Sequence, residues 1–303
     1  MTGVTATLRW VDAPLAIAPA RPASTLMALR DTPHGVEVLM VKRNRAASFM
    51  GGVWVFPGGR VDDEDNGAIL RSHATGRGDE EASAQLGLDA GGLGFWISAI
   101  RELFEESGLL LASYDDGTQV ALEGAVETRF VEHRAAINAR TRTFEEVVVR
   151  EGLVLDLAAI HHVDHWITPE AETKRFDTHF FIARAPLAQT PLHDEGETVA
   201  AEWVTPAEAL GRHRAGEIRI VLPTIRNLRM IEEASSVEEL VARAGELSAR
   251  PTVMPRMVMG ADGPTLLAPD DVGYVGGPPN LWDSDLFSEA VRRRAVQENP
   301  PLA

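Results

Sequence analysis

Short apolar runs, set off by turn-forming residues, open the chain. Ser24–Arg30 (STLMALR) and Val36–Lys42 (VEVLMVK) are separated by Asp31, Pro33 and Gly35, which predicts strand, turn, strand. Gly52–Phe56 predicts a third strand, stopped by Pro57-Gly58-Gly59. From Asp62 to Gly94 the chain is polar and glycine-rich, with one short helix expected near Glu80–Leu86. The period then changes. Ile97, Ile100, Leu103 and Phe104 fall at helical spacing and Gly108 is a terminator, so Leu93–Ser107 is expected to be a helix. Phe144–Ile160 reads as helical with an interruption at Gly152, and Thr178–Pro186 and Ala200–Val204 as strands. Thr205 as cap, Pro206 at the first helical position and Glu208 three residues after the cap start another helix. Ser236–Ala249 carries a second capping pattern, Ser236 with Glu239. Beyond it, 8 of the 53 residues 251–303 are proline, which suits an extended wrap or an oligomer arm.

Strands mixed with helices predict one α/β core. The expected organisation is an arm at 1–21, a core at 22–235, and a helix plus Pro-rich tail at 236–303. With 303 residues and 45% apolar positions, the chain can bury a substantial core. It has no cysteine, so disulfides, thiolate metal sites and a cysteine nucleophile are excluded. The net charge of -16 argues against a general nucleic-acid binder. No apolar run approaches the length of a membrane span, and the stretch Ala13–Ala20 contains two prolines and no basic leader. A cytoplasmic protein without nucleic-acid or membrane partners is expected.

The charge is unevenly placed. Residues 61–107 hold 11 acids and 3 arginines, a balance of -8, whereas residues 41–60 hold Lys42, Arg43, Arg45, Arg60 and no acid. Within Arg101-Glu-Leu-Phe-Glu-Glu-Ser-Gly-Leu109, Glu102, Glu105 and Glu106 are i, i+3 and i+4 on one helical face. Three stacked carboxylates repel unless a cation neutralises them, and a hard divalent ion takes oxygen ligands of this kind. An acidic helix beside a basic strand and a Gly-Gly loop suits a phosphorylated substrate together with such a cation. An ordinary solvated face is the plainer reading of the helix taken alone. His161-His162-Val-Asp-His165 also suggests a metal site, but the segment leads straight into Trp166-Ile-Thr-Pro169, and structural histidines are the better reading.

These residues resemble the Nudix hydrolase signature: a glycine, five residues, an acid, seven residues, then Arg-Glu-apolar-x-Glu-Glu-x-Gly-apolar. Arg101–Leu109 matches the second half at every fixed position, and Gly58-Gly59 matches the start. Counting from Gly59 places Asp65 at the first acid, and 35 residues rather than 7 separate it from Arg101, an insertion of 28. Lys42-Arg43 with Ser48-Phe49-Met50, Phe56–Asp62, Trp166–Pro169 and Arg175–Thr178 further resemble the longer split-box subfamily that includes the peroxisomal coenzyme A diphosphatase.

The resemblance implies an α/β/α sandwich with a mixed sheet and a helical insertion, 66–94, inside the box. It implies Mg²⁺ or Mn²⁺ held by Glu102, Glu105, Glu106 and the Gly59 carbonyl, with Arg101 orienting the carboxylates and Asp65 a weaker candidate for the first acid. Glu197, six residues before Trp203, matches an acid that many members carry in a loop before a late strand, as ligand or general base. Arg43, Arg60 and Arg175 are candidates for holding substrate phosphate. The implied activity is hydrolysis of a diphosphate bond in a small-molecule nucleoside diphosphate derivative, with coenzyme A or an acyl derivative leading. Dinucleoside polyphosphates, NADH or ADP-ribose, and a catalytically silent nucleotide sensor are the alternatives. A homodimer formed through the tail is the assembly the sequence allows.

Overall fold

The computed structural model describes residues 9–10, 17–45, 51–192, 198–246, 250, 252–260 and 263–268. The strands are β1 (Arg9–Trp10), β2 (Ala20–Thr32), β3 (Gly35–Arg43), β4 (Trp54–Val55), β5 (Gly58–Arg60), β6 (Ala74–Thr75), β7 (Ala112–Tyr114), β8 (Leu153–Asp156), β9 (His161–Ile167), β10 (Arg175–Arg184), β11 (Thr198–Val204), β12 (Thr252–Val253), β13 (Arg256–Gly260) and β14 (Gly263–Leu267). The α-helices are α1 (Ala68–Ser72), α2 (Asp79–Leu86), α3 (Leu93–Ser107), α4 (Gly124–Asn138), α5 (Phe144–Glu151), α6 (Pro206–Arg214), α7 (Leu222–Glu232) and α8 (Val237–Glu246). They fall into two compact units, one of Ala23–Val163 with His179–Gly245, the other of Met1–Pro22, Asp164–Thr178 and Glu246–Ala303.

The larger unit is built on strands in the order β11-β3-β2-β10-β9, with β4 paired to β3 and β5 to β2. The β2–β3 hairpin is antiparallel, Leu29 opposite Val38 and Thr32 opposite Gly35. Leu26, Met27, Ala28 and Leu29 are consecutive and all fully buried, as a strand covered on both faces must be. Leu26, Ala28 and Leu39 share one core with Trp96, Ile97, Ile100, Leu103 and Phe104 of α3. The alternate positions, Met27, Leu29, Val38 and Met40, face the other way, where α6 packs on β3 and α7 on α6. The result is an α/β/α sandwich with α3 on one face.

The insertion leaves the chain and returns to the same place. A Cβ on Gly94 would lie 2.5 Å from the Asn66 Nδ2, so the first and last residues of the insertion meet closely and glycine at 94 makes room for the Asn66 side chain. Asp79 of α2 closes the loop, its carboxylate accepting from the N–H groups of Gly91 and Leu93 at 3.1 Å each. Burial works against its charge, but these two N–H groups and Arg71 hold the carboxyl below its ordinary range. The polar 62–94 stretch thus carries α1 and a 3-10 turn, Asp63–Asn66, besides the expected short helix.

One expectation changes, and two helices are added. The helical reading of Phe144–Ile160 holds only to Glu151: Gly152 takes a left-handed conformation (φ 61°) and Leu153–Asp156 becomes a strand, antiparallel to β7 and parallel to β6. Gly152 therefore ends the helix. Helices α4 and α7 were not read from the pattern, because the buried face of α4 includes His133 and Arg134, and that of α7 includes Arg226, Asn227 and Arg229.

In the smaller unit β1, β13 and β14 form an antiparallel sheet, Trp10 opposite Val258 and Met257 opposite Leu266. Residues beyond 268, including most of the tail, lie outside the described residues. Among the described residues, no helix is long and apolar enough to cross a membrane.

Helix α5 begins with a reciprocal cap: Thr143 Oγ1 accepts from the Glu146 N–H at 3.1 Å while the Thr143 N–H donates to Glu146 Oε2 at 2.9 Å. Thr143→Ala is expected to lower the unfolding free energy by about 1 kcal/mol, measured by urea titration, without shifting activity.

Candidate active site

Helix α3 presents Arg101, Glu102, Glu105 and Glu106 to the loop that ends in β5. Arg101 is almost wholly buried, and its guanidinium is the hub. Nε and Nη2 donate to the two oxygens of Asp65 at 2.8 Å each, a two-pronged pairing with a fully buried carboxylate. Nη1 donates to Glu102 Oε1 at 2.7 Å and Glu105 Oε1 at 3.3 Å. Nη2 also donates to the Arg60 carbonyl at 2.8 Å. Burial disfavours the guanidinium charge, but Asp65, Glu102 and Glu105 more than offset it and raise the pKa above the ordinary arginine value.

The two halves of the split motif are therefore one structure. Asp65 is held in turn by the Asp62 N–H, which donates to its Oδ2 at 2.8 Å. Strand β5 runs along α3 so closely that a Cβ on Gly59 would sit 2.5 Å from Glu102 Oε1. The absence of a side chain at 59 is what lets the main chain and the Glu102 carboxylate meet. The Gly58 N–H donates to Glu106 Oε2 at 3.1 Å, and Arg43 Nη1 of β3 lies 3.7 Å from Glu106 Oε1. Ser98, one turn before Arg101, accepts from it at 3.2 Å and donates to the Arg60 carbonyl at 3.1 Å, and the Ser24 hydroxyl donates to Ser98 Oγ at 2.9 Å. Ser24 and Ser98 were missed in the sequence, although a serine three residues before the arginine, inside an apolar helical face, was a readable signal.

Burial of Glu102 raises its carboxyl to about 7; Arg101 pulls it down, and Glu105 adds to the rise. Burial also raises Glu105, again against Arg101. A divalent cation with oxygen ligands relieves this crowding, so the donor set, glutamate carboxylates beside a glycine main chain, fits such an ion.

The remaining candidates are placed differently. The Arg60 side chain is exposed and pairs with Asp62 at 3.2 Å. Arg175 lies in the smaller unit, where its guanidinium donates to the Thr168 carbonyl at 3.0 Å and the Ala18 carbonyl at 2.8 Å, with the Met254 sulfur at 3.8 Å. This buried arginine ties main chain together, a geometry that does not suit a phosphate ligand. Glu197 lies outside the described residues, as do Ser48, Phe49 and Met50. His162 and His179 are buried, their rings joined at 3.0 Å, with His162 against Phe181 in the core.

Residues 72–231, more than half of the chain, match the family described as the NUDT19 Nudix domain. The chain belongs to the Nudix hydrolase family. The human protein named acyl-coenzyme A diphosphatase NUDT19 is 27% identical over 320 residues, covering 92% of this chain and 84% of that protein. The putative nudix hydrolase 7 of Caenorhabditis elegans is 28% identical over 284 residues, covering 92% and 82%. Among solved structures, a NUDIX hydrolase from Alicyclobacillus acidocaldarius superimposes with a TM-score of 0.60 at 26% identity, over 75% of this chain and 97% of that one. Nudix hydrolases generally work with a divalent metal, in keeping with the oxygen-rich face of α3.

Two outcomes are expected here. Asp65→Asn leaves Arg101 without its paired carboxylate and is expected to destabilise the fold by about 3 kcal/mol in denaturant titration. The second concerns pH. Because the folded Glu102 carboxyl binds its proton more tightly than the ordinary value of 4.5, the metal-free protein loses stability as pH rises from there to about 7. A cation bound through the Glu102 carboxylate displaces that proton, and for such a site calorimetric Mn²⁺ affinity is expected to weaken by roughly tenfold per pH unit below about 7.

Proposed function

We propose that the chain is a metal-dependent diphosphatase acting on coenzyme A or an acyl derivative of it. The observation that carries the chemistry is the gathering of Glu102 and Glu105 on one Arg101 nitrogen, with Glu106 turned to the glycine strand beside them. The names of the relatives, which span most of this chain, support the substrate class.

In this reading Glu102, Glu105, Glu106 and the Gly59 carbonyl hold Mg²⁺ or Mn²⁺. Once bound, the ion draws charge from phosphoryl oxygens and lowers the pKa of a water beside it. Arg101 fixes the direction of two carboxylates and, through Asp65, ties them to the loop before the insertion. Arg43, partly exposed at the end of β3, and Arg60, at the end of β5, take the charge of the substrate phosphates. Glu197 serves as general base or as one more ligand. Cleavage by water gives a nucleotide and phosphopantetheine with no covalent enzyme intermediate. The reading includes a cytoplasmic enzyme with the tail as a homodimer arm.

The test is a substrate panel of coenzyme A, NADH, ADP-ribose and diadenosine polyphosphates with Mg²⁺ or Mn²⁺. Coenzyme A is expected to be cleaved fastest. Chelation, or a Glu105→Gln and Glu106→Gln double substitution, is expected to reduce turnover by at least about 100-fold. Turnover that survives either treatment refutes the metal mechanism, and a faster rate on another member of the panel reassigns the substrate.

A further inference from the structure

The last four carbonyls of a helix have no partner within it. In α3 they belong to Phe104, Glu105, Glu106 and Ser107, the turn that carries two of the acids. Each meets a different donor. The Gly108 N–H reaches the Phe104 carbonyl at 2.9 Å and the Leu192 N–H that of Ser107 at 2.8 Å. Thr198 Oγ1 donates to the Glu106 carbonyl at 3.2 Å. The Glu105 carbonyl receives a charged donor, Arg134 Nε of α4, at 2.8 Å, with Asn138 Nδ2 at 3.4 Å beside it.

Arg134 is 7% exposed, and a cation at a helix C-terminus opposes the partial negative charge there. Glu105 is thereby gripped at both ends, its side chain by Arg101 and its main chain by Arg134. The helix that supplies Arg134 is itself fixed. His133, its neighbour, lies 2.9 Å from Glu151 through Nε2 and 2.7 Å from Arg142 through Nδ1, and Arg129 pairs with the same Glu151 at 2.9 Å. One turn before Arg134, Phe130 packs edge-on against Phe104, with ring centroids 6.1 Å apart. A rigid arm thus ends on the peptide group of a residue in the acidic face.

We infer that Arg134, well outside the split motif, is a positioning residue for the cation site, setting the main chain of Glu105 and through it the placing of the Glu105 and Glu106 carboxylates. The inference rests on the proposal that these glutamates bind the metal. It is tested by titrating the full-length protein, free of substrate, with Mn²⁺ alone and following free Mn²⁺ by electron paramagnetic resonance. Arg134→Gln is expected to weaken Mn²⁺ binding on the order of 10–100-fold, the usual effect of losing a group that orients a ligand. Arg134→Lys, which keeps a cation at the helix end, is expected to fall between that variant and the unaltered protein. Phe130→Leu loosens the same helix pairing without touching Glu105. It is expected to lower the melting temperature and to weaken Mn²⁺ binding far less than Arg134→Gln does.

Unaltered affinity in Arg134→Gln, or an equal loss in Phe130→Leu, overturns the inference. Should Arg134→Gln fail to fold, unaltered affinity in Arg134→Lys overturns it instead. Glu105→Gln separates the two levels. If it still binds Mn²⁺ at full strength, the metal site itself is misassigned. If it loses binding while Arg134→Gln does not, only the positioning role falls.

Discussion

Arg101 holds together groups that would otherwise drive one another apart. Its buried guanidinium lies within hydrogen-bonding distance of Asp65, Glu102 and Glu105, and those three carboxylates lie on two separate stretches of chain. Removing a charge from water is costly, and attraction offsets that cost only when the geometry is close and the hydrogen bonds are complete. Here the fork meets Asp65 oxygen for oxygen, and the Arg60 carbonyl and Ser98 take further donor capacity. Without this centre the acidic face of α3 and the glycine strand would keep only lighter links, such as the Gly58 N–H to Glu106 and Ser98 to the Arg60 carbonyl.

The same centre creates an electrostatic asymmetry. Burial makes Glu102 hold its proton to an unusually high pH, and the single arginine that pulls the other way is shared with two further carboxylates. The negative charge of the face lies beside Arg43 of β3, and in the sequence no acid occurs between Val41 and Arg60. A cation and an anionic substrate then complete a charge balance that neither half of the site reaches alone.

The sandwich and the acidic helix were legible because their signals are local. The span Leu93–Ser107 follows from its apolar period and Gly108, and the strands β2 and β3 from unbroken apolar runs between turn residues. What stayed hidden depends on contacts distant in sequence. The buried faces of α4 and α7 contain arginines whose role is set by partners the pattern does not reveal, so they looked like solvent-facing positions. Gly152 marked a boundary, but a left-handed stop and a weak point inside a helix look alike until the next strand has a neighbour to pair with. Arg175 shows a role of the same hidden kind. Named as a phosphate candidate, it donates its hydrogen bonds to the backbone carbonyls of Thr168 and Ala18.

The meeting of Asn66 with Gly94 has a consequence for how such a motif changes over time. If the two halves are joined in space by Asp65 and Arg101, the chain between them need only return to its starting point. Lengthening that connection from 7 to 35 residues costs about 1.4 kcal/mol in closure entropy, less than a buried ion pair of this geometry is worth when broken. The stretch between is therefore open ground, where a lineage can add or remove whole helices while the reacting groups stay in register. The signature is a constellation, and its spelling along the chain is incidental.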